Sequence, residues 1–140
     1  MRVPLINTDL TSVSARSGEL EPLSVERIHE YVWARYVNFE AAPFELDEDA
    51  ALAALEQQYR QRPMATDSEC FYFGILAYER SFGRGQQLRR RYLRSAIQAF
   101  EAYRQQTSDG FKWDAVDDRY THVVEQLWPE LEAAAGTALD

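Results

Sequence analysis

Apolar residues recur every three or four positions along most of the chain from Leu23 onward, which is the spacing of amphipathic helices. No stretch alternates apolar and polar residues over the length of a strand, so the pattern predicts no sheet. Prolines, glycines and capping residues separate the periodic segments. We therefore expect an all-α, single-domain bundle of about five to six helices, arranged in antiparallel hairpins.

Three helix starts are marked by residues whose side chains can cap a helix. Ser24 and Asp47 are good N-caps, and Thr66 with Glu69 three residues later has the pattern of a capping box. The predicted helices run from about residue 24 to 39, 47 to 62, 66 to 82, 86 to 106, 114 to 128 and from 129 onward. The first of them is expected to bury one apolar face, which comprises Val25, Ile28, Val32, Tyr36 and Phe39.

The third predicted helix, "CFYFGILAYERSF", is apolar around most of its circumference. That composition is typical of a helix in the middle of a bundle. Gly83 is expected to end this helix as the residue after its C-cap. Near the end of the chain, Pro129 fits the first turn of a short final helix better than the interior of a long one.

The first 22 residues mix Thr, Ser, Pro and Gly without a helical or strand period. We expect residues 1–22 to form an extended or mobile arm, docked through Leu5 and Ile6. The predicted helical domain follows as residues 23–136.

Two segments resemble the two helices of a tetratricopeptide repeat. In "FYFGILAY", Gly74 follows a large apolar residue, and in "AIQAFEAYRQQTSD" Ala96 is followed four residues later by Phe100. The resemblance covers residues 70–109. It implies antiparallel helix pairs stacked into a superhelix, with a concave face that binds peptides.

Composition limits the class of protein. The chain has 140 residues, a net charge of -8 and a single cysteine, Cys70, which excludes an internal disulfide and a cysteine-based zinc site. The start of the chain has no apolar run of signal-peptide length, so we expect a cytoplasmic protein. Arginine supplies fourteen of the fifteen basic residues, which together with frequent alanine indicates a GC-rich bacterial genome.

The residues with catalytic or metal-binding chemistry form no convincing set, and we expect no enzyme activity, no metal and no cofactor. Glu26 and His29 have the E-x-x-H spacing of helical metal sites, and Asp118 with His122 could in principle complete one. However, the helical period places His29 on an apolar side and His122 on an exposed side. Cys70 starts an apolar helix, where a structural role is favoured over a nucleophilic one.

A run of arginines stands out in this acidic chain. Residues 84–104 hold six arginines and one acid, between two segments that each carry a net charge of -6, residues 40–69 and 105–140. The helical period places three of the arginines on one outward face, and a fourth lies in the preceding loop. The candidate partner-binding residues are Arg84, Arg90, Arg91 and Arg94. They could instead pair with the chain's own acids or be solvated.

These observations favour a non-enzymatic adaptor that engages another protein through a helical groove or the arginine patch. Nucleic acid is disfavoured as a partner because a chain at -8 repels phosphate. The alternative is a small acidic inhibitory protein, of the immunity-protein or antitoxin type, that covers a basic partner with residues 45–49 or 114–118. A metal-dependent helical enzyme built on Glu26, His29 and Asp118 comes third. The oligomeric state stays open.

Overall fold

The computed structural model describes residues 24–107 and 111–139, and the predicted arm at residues 1–22 lies outside them. The described residues form helices and contain no strand, which confirms the all-α prediction. The chain divides into two compact units, an N-terminal unit of residues 1–63 and a C-terminal unit of residues 64–140. The expectation that residues 23–136 form one domain stays a prediction.

The N-terminal unit begins with α1, Val25–Val32, which continues into a π-helical turn, Trp33–Val37. Ser24 is the predicted N-cap, and its hydroxyl accepts a hydrogen bond from the Arg27 N–H at 3.2 Å. The wider turn is closed by the Asn38 N–H, which donates to the Trp33 carbonyl five residues earlier at 2.8 Å. The buried apolar residues of this segment are Ile28, Tyr31, Val32 and Val37.

The prediction that Phe39 belongs to the buried face of the first helix is wrong. The helix ends at Val37, and Phe39 is 79% exposed with a φ of 57°. The π-helical turn explains the difference, because the additional residue in that turn rotates the following positions and brings Val37 to the buried side.

The second helix of this unit, α2, spans Glu48–Gln61. The Asp47 side chain accepts from the Ala50 N–H at 3.0 Å, as its predicted N-cap role requires. Leu52 and Leu55 are buried, and Pro63 follows two residues after the helix ends. The capping residue and the apolar spacing therefore predicted this helix correctly.

The described part of the C-terminal unit contains four α-helices: α3, Asp67–Arg80; α4, Gln86–Gln106; α5, Phe111–His122; and α6, Trp128–Leu139. The Thr66 hydroxyl accepts from the Glu69 N–H at 3.1 Å, and the Glu69 carboxylate accepts from the Ala65 N–H at 2.7 Å. The predicted capping box is therefore present, except that the Glu69 carboxylate accepts from the N–H of Ala65, the residue before the N-cap, instead of from the N–H of the N-cap itself.

The main hairpin of this unit packs α3 against α4. Phe71, Ile75 and Leu76 are buried on α3, which also contacts α5, whereas α4 contacts α3, α5 and α6. Gly74 lies in close contact with α4, because an added Cβ would lie 2.5 Å from Cε1 of the buried Phe100. The absence of a side chain at Gly74 thus allows α3 and α4 to pack this closely at that position.

The segment between α3 and α4 contains the predicted left-handed glycine. Ser81 is the C-cap of α3, and Gly83 has a φ of 78°. We expected Gly83 directly after the C-cap, but Phe82 holds that position and Gly83 is the second residue after the C-cap.

The last helices run on without an intervening loop. A π-helical turn, Val123–Leu127, joins α5 to α6, and the Trp128 N–H donates to the Val123 carbonyl. Pro129 lies in the first turn of α6 as predicted, but no break separates it from the preceding turn. A wider turn directly before proline leaves room for a ring that would crowd an ordinary α-helical turn.

Candidate functional site

The arginines of α4 differ in how far each side chain reaches solvent. Arg91 and Arg94 are exposed, whereas Arg90 is half-buried with its guanidinium 5.2 Å from the ring centre of Trp128. The three residues span about 100° of the helix circumference. We call Arg90, Arg91 and Arg94 the arginine face.

Arg84 does not extend freely from the loop. Its side chain is half-buried, and its Nε donates to the Arg80 carbonyl at 2.9 Å. This bond satisfies a carbonyl at the end of α3, so Arg84 has a capping role in addition to its charge.

The arginine face begins one turn inside α4. The helix begins at Gln86 after Gly85, its first turn contains no acid, and Gly85 provides no side-chain cap. The partial positive charge of a helix N-terminus acts on cations mainly within the first turn, and Arg90, the first residue of the arginine face, lies in the second. The helix dipole therefore has little influence on this cluster of positive charge.

A second group of side chains surrounds Tyr78. The Tyr78 hydroxyl lies 2.6 Å from Nδ1 of His122, and the Phe82 ring packs edge-on against the Tyr78 ring at 5.1 Å. The guanidinium of Arg119 lies 5.8 Å from the Tyr78 ring centre and 3.9 Å from a carboxylate oxygen of Glu79. Burial raises the pKa of Tyr78, Glu79 raises it further, and Arg119 lowers it.

The prediction that His122 is an exposed surface histidine is wrong. Its ring is half-buried, contacts Tyr78 and lies nearly parallel to Phe82, which is itself 44% exposed. The helical period missed this pair because Tyr78 and His122 are 44 residues apart and meet only through the packing of α5 on α3. If the Tyr78 hydroxyl donates this hydrogen bond, Nδ1 of His122 accepts it and the imidazole carries its N–H on Nε2.

The candidate metal ligands belong to no ligand cluster in the described part of the chain. Glu26 and Asp118 are exposed, and His29 is half-buried rather than buried. Among residues 24–107 and 111–139, no group of three or more His, Cys, Asp or Glu side chains is placed to hold a metal ion.

Cys70 lies at the start of α3 and is completely buried. Its Sγ accepts a hydrogen bond from Nε2 of Gln106 at 3.6 Å. Burial raises the pKa of the thiol, and the carboxylate of Glu69 raises it further. A raised pKa lowers the thiolate fraction at neutral pH, which disfavours a nucleophilic role.

In the N-terminal unit, two tyrosines hold the carboxylate of Glu48 at the start of α2. Tyr31 donates to one carboxylate oxygen at 2.6 Å, and Tyr36 donates to the other at 2.5 Å. Burial raises the pKa of Tyr31 to about 12, with a further contribution from Glu48. These bonds tie α1 and the following π-helical turn to α2, so both ends of the connecting segment are fixed.

Comparison of the chain with models of known protein families, with curated proteins and with solved structures gives no match. The resemblance of α3 and α4 to a tetratricopeptide repeat therefore stays a prediction. Within the described part of the chain, no helix combines the length and the apolar character needed to cross a membrane.

Proposed function

We propose that this chain is a non-enzymatic protein-binding adaptor whose arginine face recognises carboxylates on a partner protein. The observation that carries the proposal is the exposure of Arg91 and Arg94 beside Arg90, which is oriented over Trp128. A guanidinium presents planar pairs of N–H donors that match a carboxylate. Arginine and aromatic residues are also enriched at the centres of protein interfaces.

The distribution of charge supports an acidic protein partner over nucleic acid. Residues 84–104 carry six arginines and one acid, whereas the whole chain has a net charge of -8. A local positive face can pair with a few carboxylates at short range. A nucleic-acid-binding protein usually presents a basic field over an entire face, and the overall negative charge opposes such a partner.

The test compares proteins captured from a lysate of the organism that encodes the chain. Wild type is run beside Arg91→Glu/Arg94→Glu, which leaves Arg90 and its contact with Trp128 in place. The matched control is Arg60→Glu/Arg62→Glu, which changes the net charge equally on exposed positions of α2 and its C-cap. Circular dichroism checks that all three proteins keep the same helix content.

We expect one partner to be retained by wild type and the control and lost from the Arg91/Arg94 variant. Reversal of two charges at an interface should weaken binding by at least about ten-fold. The proposal is wrong if every captured protein is retained equally by the Arg91/Arg94 variant and wild type.

A further inference from the structure

Phe39 combines two unfavourable features in the N-terminal unit. Its side chain is 79% exposed, and its backbone is in the left-handed region with a φ of 57°. The neighbouring residues from 38 to 43 are all exposed as well. Among the described residues other than glycine, Phe39 alone has a positive φ.

The backbone conformation at Phe39 has a local cause, but the phenylalanine does not. The Glu40 N–H donates to the Ala34 carbonyl at 2.8 Å, which closes the end of the helical segment and requires a left-handed residue at position 39. Glycine adopts this conformation without steric cost, and the chain has glycine at the corresponding left-handed position after α3, Gly83. The fold would therefore be served better by glycine at position 39.

The segment that carries Phe39 is anchored on both sides. The Phe44 ring lies 5.8 Å from the ring of Tyr31 and 4.0 Å below the guanidinium of Arg27. Glu48, at the start of α2, is held by Tyr31 and Tyr36. Phe39 is thus presented from a fixed turn, which lowers the conformational entropy lost when a partner contacts it.

The charge around Phe39 indicates the chemistry of the partner. Residues 38–49 contain five acids and no base, and three of the acids, Glu40, Glu45 and Asp47, are exposed. Two bases approach this region: Arg27 lies over the Phe44 ring, and Arg35 lies with its guanidinium 5.6 Å from the Tyr36 ring centre. The exposed acids are not neutralised within the segment itself, so an apolar side chain next to Glu40 in a segment of net negative charge fits an apolar pocket whose rim carries lysine or arginine.

We propose that Phe39 is an anchor residue that inserts into an apolar, basic-rimmed pocket on a second partner protein. Phe39 and its acidic neighbours are residues other than those of the arginine face and carry the opposite charge, so this inference adds a basic partner to the acidic partner proposed above. A second copy of the chain is a poorer occupant, because a symmetric contact at Phe39 would oppose like charges.

The partner protein that contacts Phe39 is identified by photo-crosslinking with the full-length chain. Phe39 is replaced by p-benzoylphenylalanine, the protein is irradiated in cells of the encoding organism, and the cross-linked peptides are mapped by mass spectrometry. The control places the same photoreactive residue at Gln57, an exposed position on α2. We expect a cross-link specific to position 39, to a site on another protein that is rich in lysine or arginine.

Three results of this experiment overturn the proposal. They are the absence of any cross-link above the Gln57 control, cross-links only to another copy of the chain, and cross-links to a site without basic residues.

Once the cross-linked partner has been purified, its binding affinity for variants of the chain shows whether Phe39 is an interface anchor or a structural residue. Phe39→Gly should weaken binding by about thirty-fold or more, as expected for the loss of an interface hot spot, while raising the melting temperature. Glu40→Gln/Glu45→Gln should weaken binding by a few-fold and reduce its dependence on salt.

A fall in melting temperature for Phe39→Gly, or unchanged affinity, would assign Phe39 to the fold and overturn the proposal. The arginine face is not altered in any of these variants, so the two proposals succeed or fail separately.

Discussion

The two units end one helical segment each with a left-handed residue but use different residues there. In the C-terminal unit the residue is Gly83, for which the conformation has no steric cost. In the N-terminal unit it is Phe39, whose backbone is strained and whose large side chain is exposed. The left-handed conformation at the first end is explained by the fold, whereas the phenylalanine at the second end is not, and unfavourable backbone conformations concentrate at functional sites.

The two units also differ in how a tyrosine hydroxyl is satisfied. In the N-terminal unit, Tyr31 and Tyr36 donate to the carboxylate of Glu48, so the contact depends on a negative charge. In the C-terminal unit, Tyr78 pairs with an imidazole nitrogen of His122 while its ring packs with Phe82. The N-terminal unit thus adds charged hydrogen bonds at the start of α2 to its buried apolar residues, whereas the C-terminal unit adds a tyrosine–histidine contact to the packing of its helices.

The largest expected effect is at Gly74, where close packing leaves no room for a side chain. Gly74→Ala should destabilise the C-terminal unit by about 1–3 kcal/mol, because the new methyl group would overlap the buried ring of Phe100. Part of the loss is offset by the higher helix propensity of alanine. Urea unfolding followed by tryptophan fluorescence measures the change. Phe100→Leu in the same chain should recover part of the stability, and equal stability of Gly74→Ala and wild type would contradict the tight contact.

The next effect is at high pH, in the N-terminal unit. Folded Tyr31 keeps its proton up to a pKa of about 12, whereas an unfolded tyrosine loses its proton near pH 10. Below pH 10 both the folded and the unfolded chain keep the tyrosine proton, so the contribution of Tyr31 to folding stability is fully present. Between pH 10 and 12 the unfolded chain binds fewer protons, so stability falls as pH rises, by on the order of 2 kcal/mol.

Urea unfolding at several pH values from 9 to 12 checks this slope, with the pH values chosen to bracket the two ionisations. Tyr31→Phe should show a shallower fall than wild type, because the variant lacks the hydroxyl whose pKa is raised on folding. Identical slopes for Tyr31→Phe and wild type would show that the ionisation of Tyr31 is not linked to folding.

The smallest effects come from exchanging residues between the two left-handed positions. Gly83→Ala should destabilise the chain by about 1 kcal/mol through backbone strain alone, since no atom lies within 4 Å of the added Cβ. Phe39→Gly should stabilise the chain by up to about 1 kcal/mol, because glycine has no steric cost in the left-handed region. The higher conformational entropy of glycine in the unfolded chain offsets part of this gain. Thermal unfolding measures both, and changes of the same sign would break the contrast between the two positions.

The exposed part of the arginine face followed from the sequence, because the helical period alone places Arg91 and Arg94 on the outer side of α4. The period could not reveal that Arg90 rests on Trp128, a residue 38 positions later in the chain. It also misplaced Phe39, because the wider turn from Trp33 to Val37 breaks the spacing of 3.6 residues that the prediction assumed. No local signal in the sequence marks that turn.

The sequence by itself determined the all-α class, the N-caps at Ser24, Asp47 and Thr66, and most helix bounds. These features depend on hydrogen bonds and side-chain spacing within a few residues, which the local sequence encodes. Only the tertiary structure decided the pairing of Tyr78 with His122 and the exposure of Phe39. The pairing depends on which surfaces meet when distant helices pack, and that free energy is shared among many residues far apart in the chain. The exposure of Phe39 depends on the π-helical turn, Trp33–Val37, which shifts the following positions around the helix.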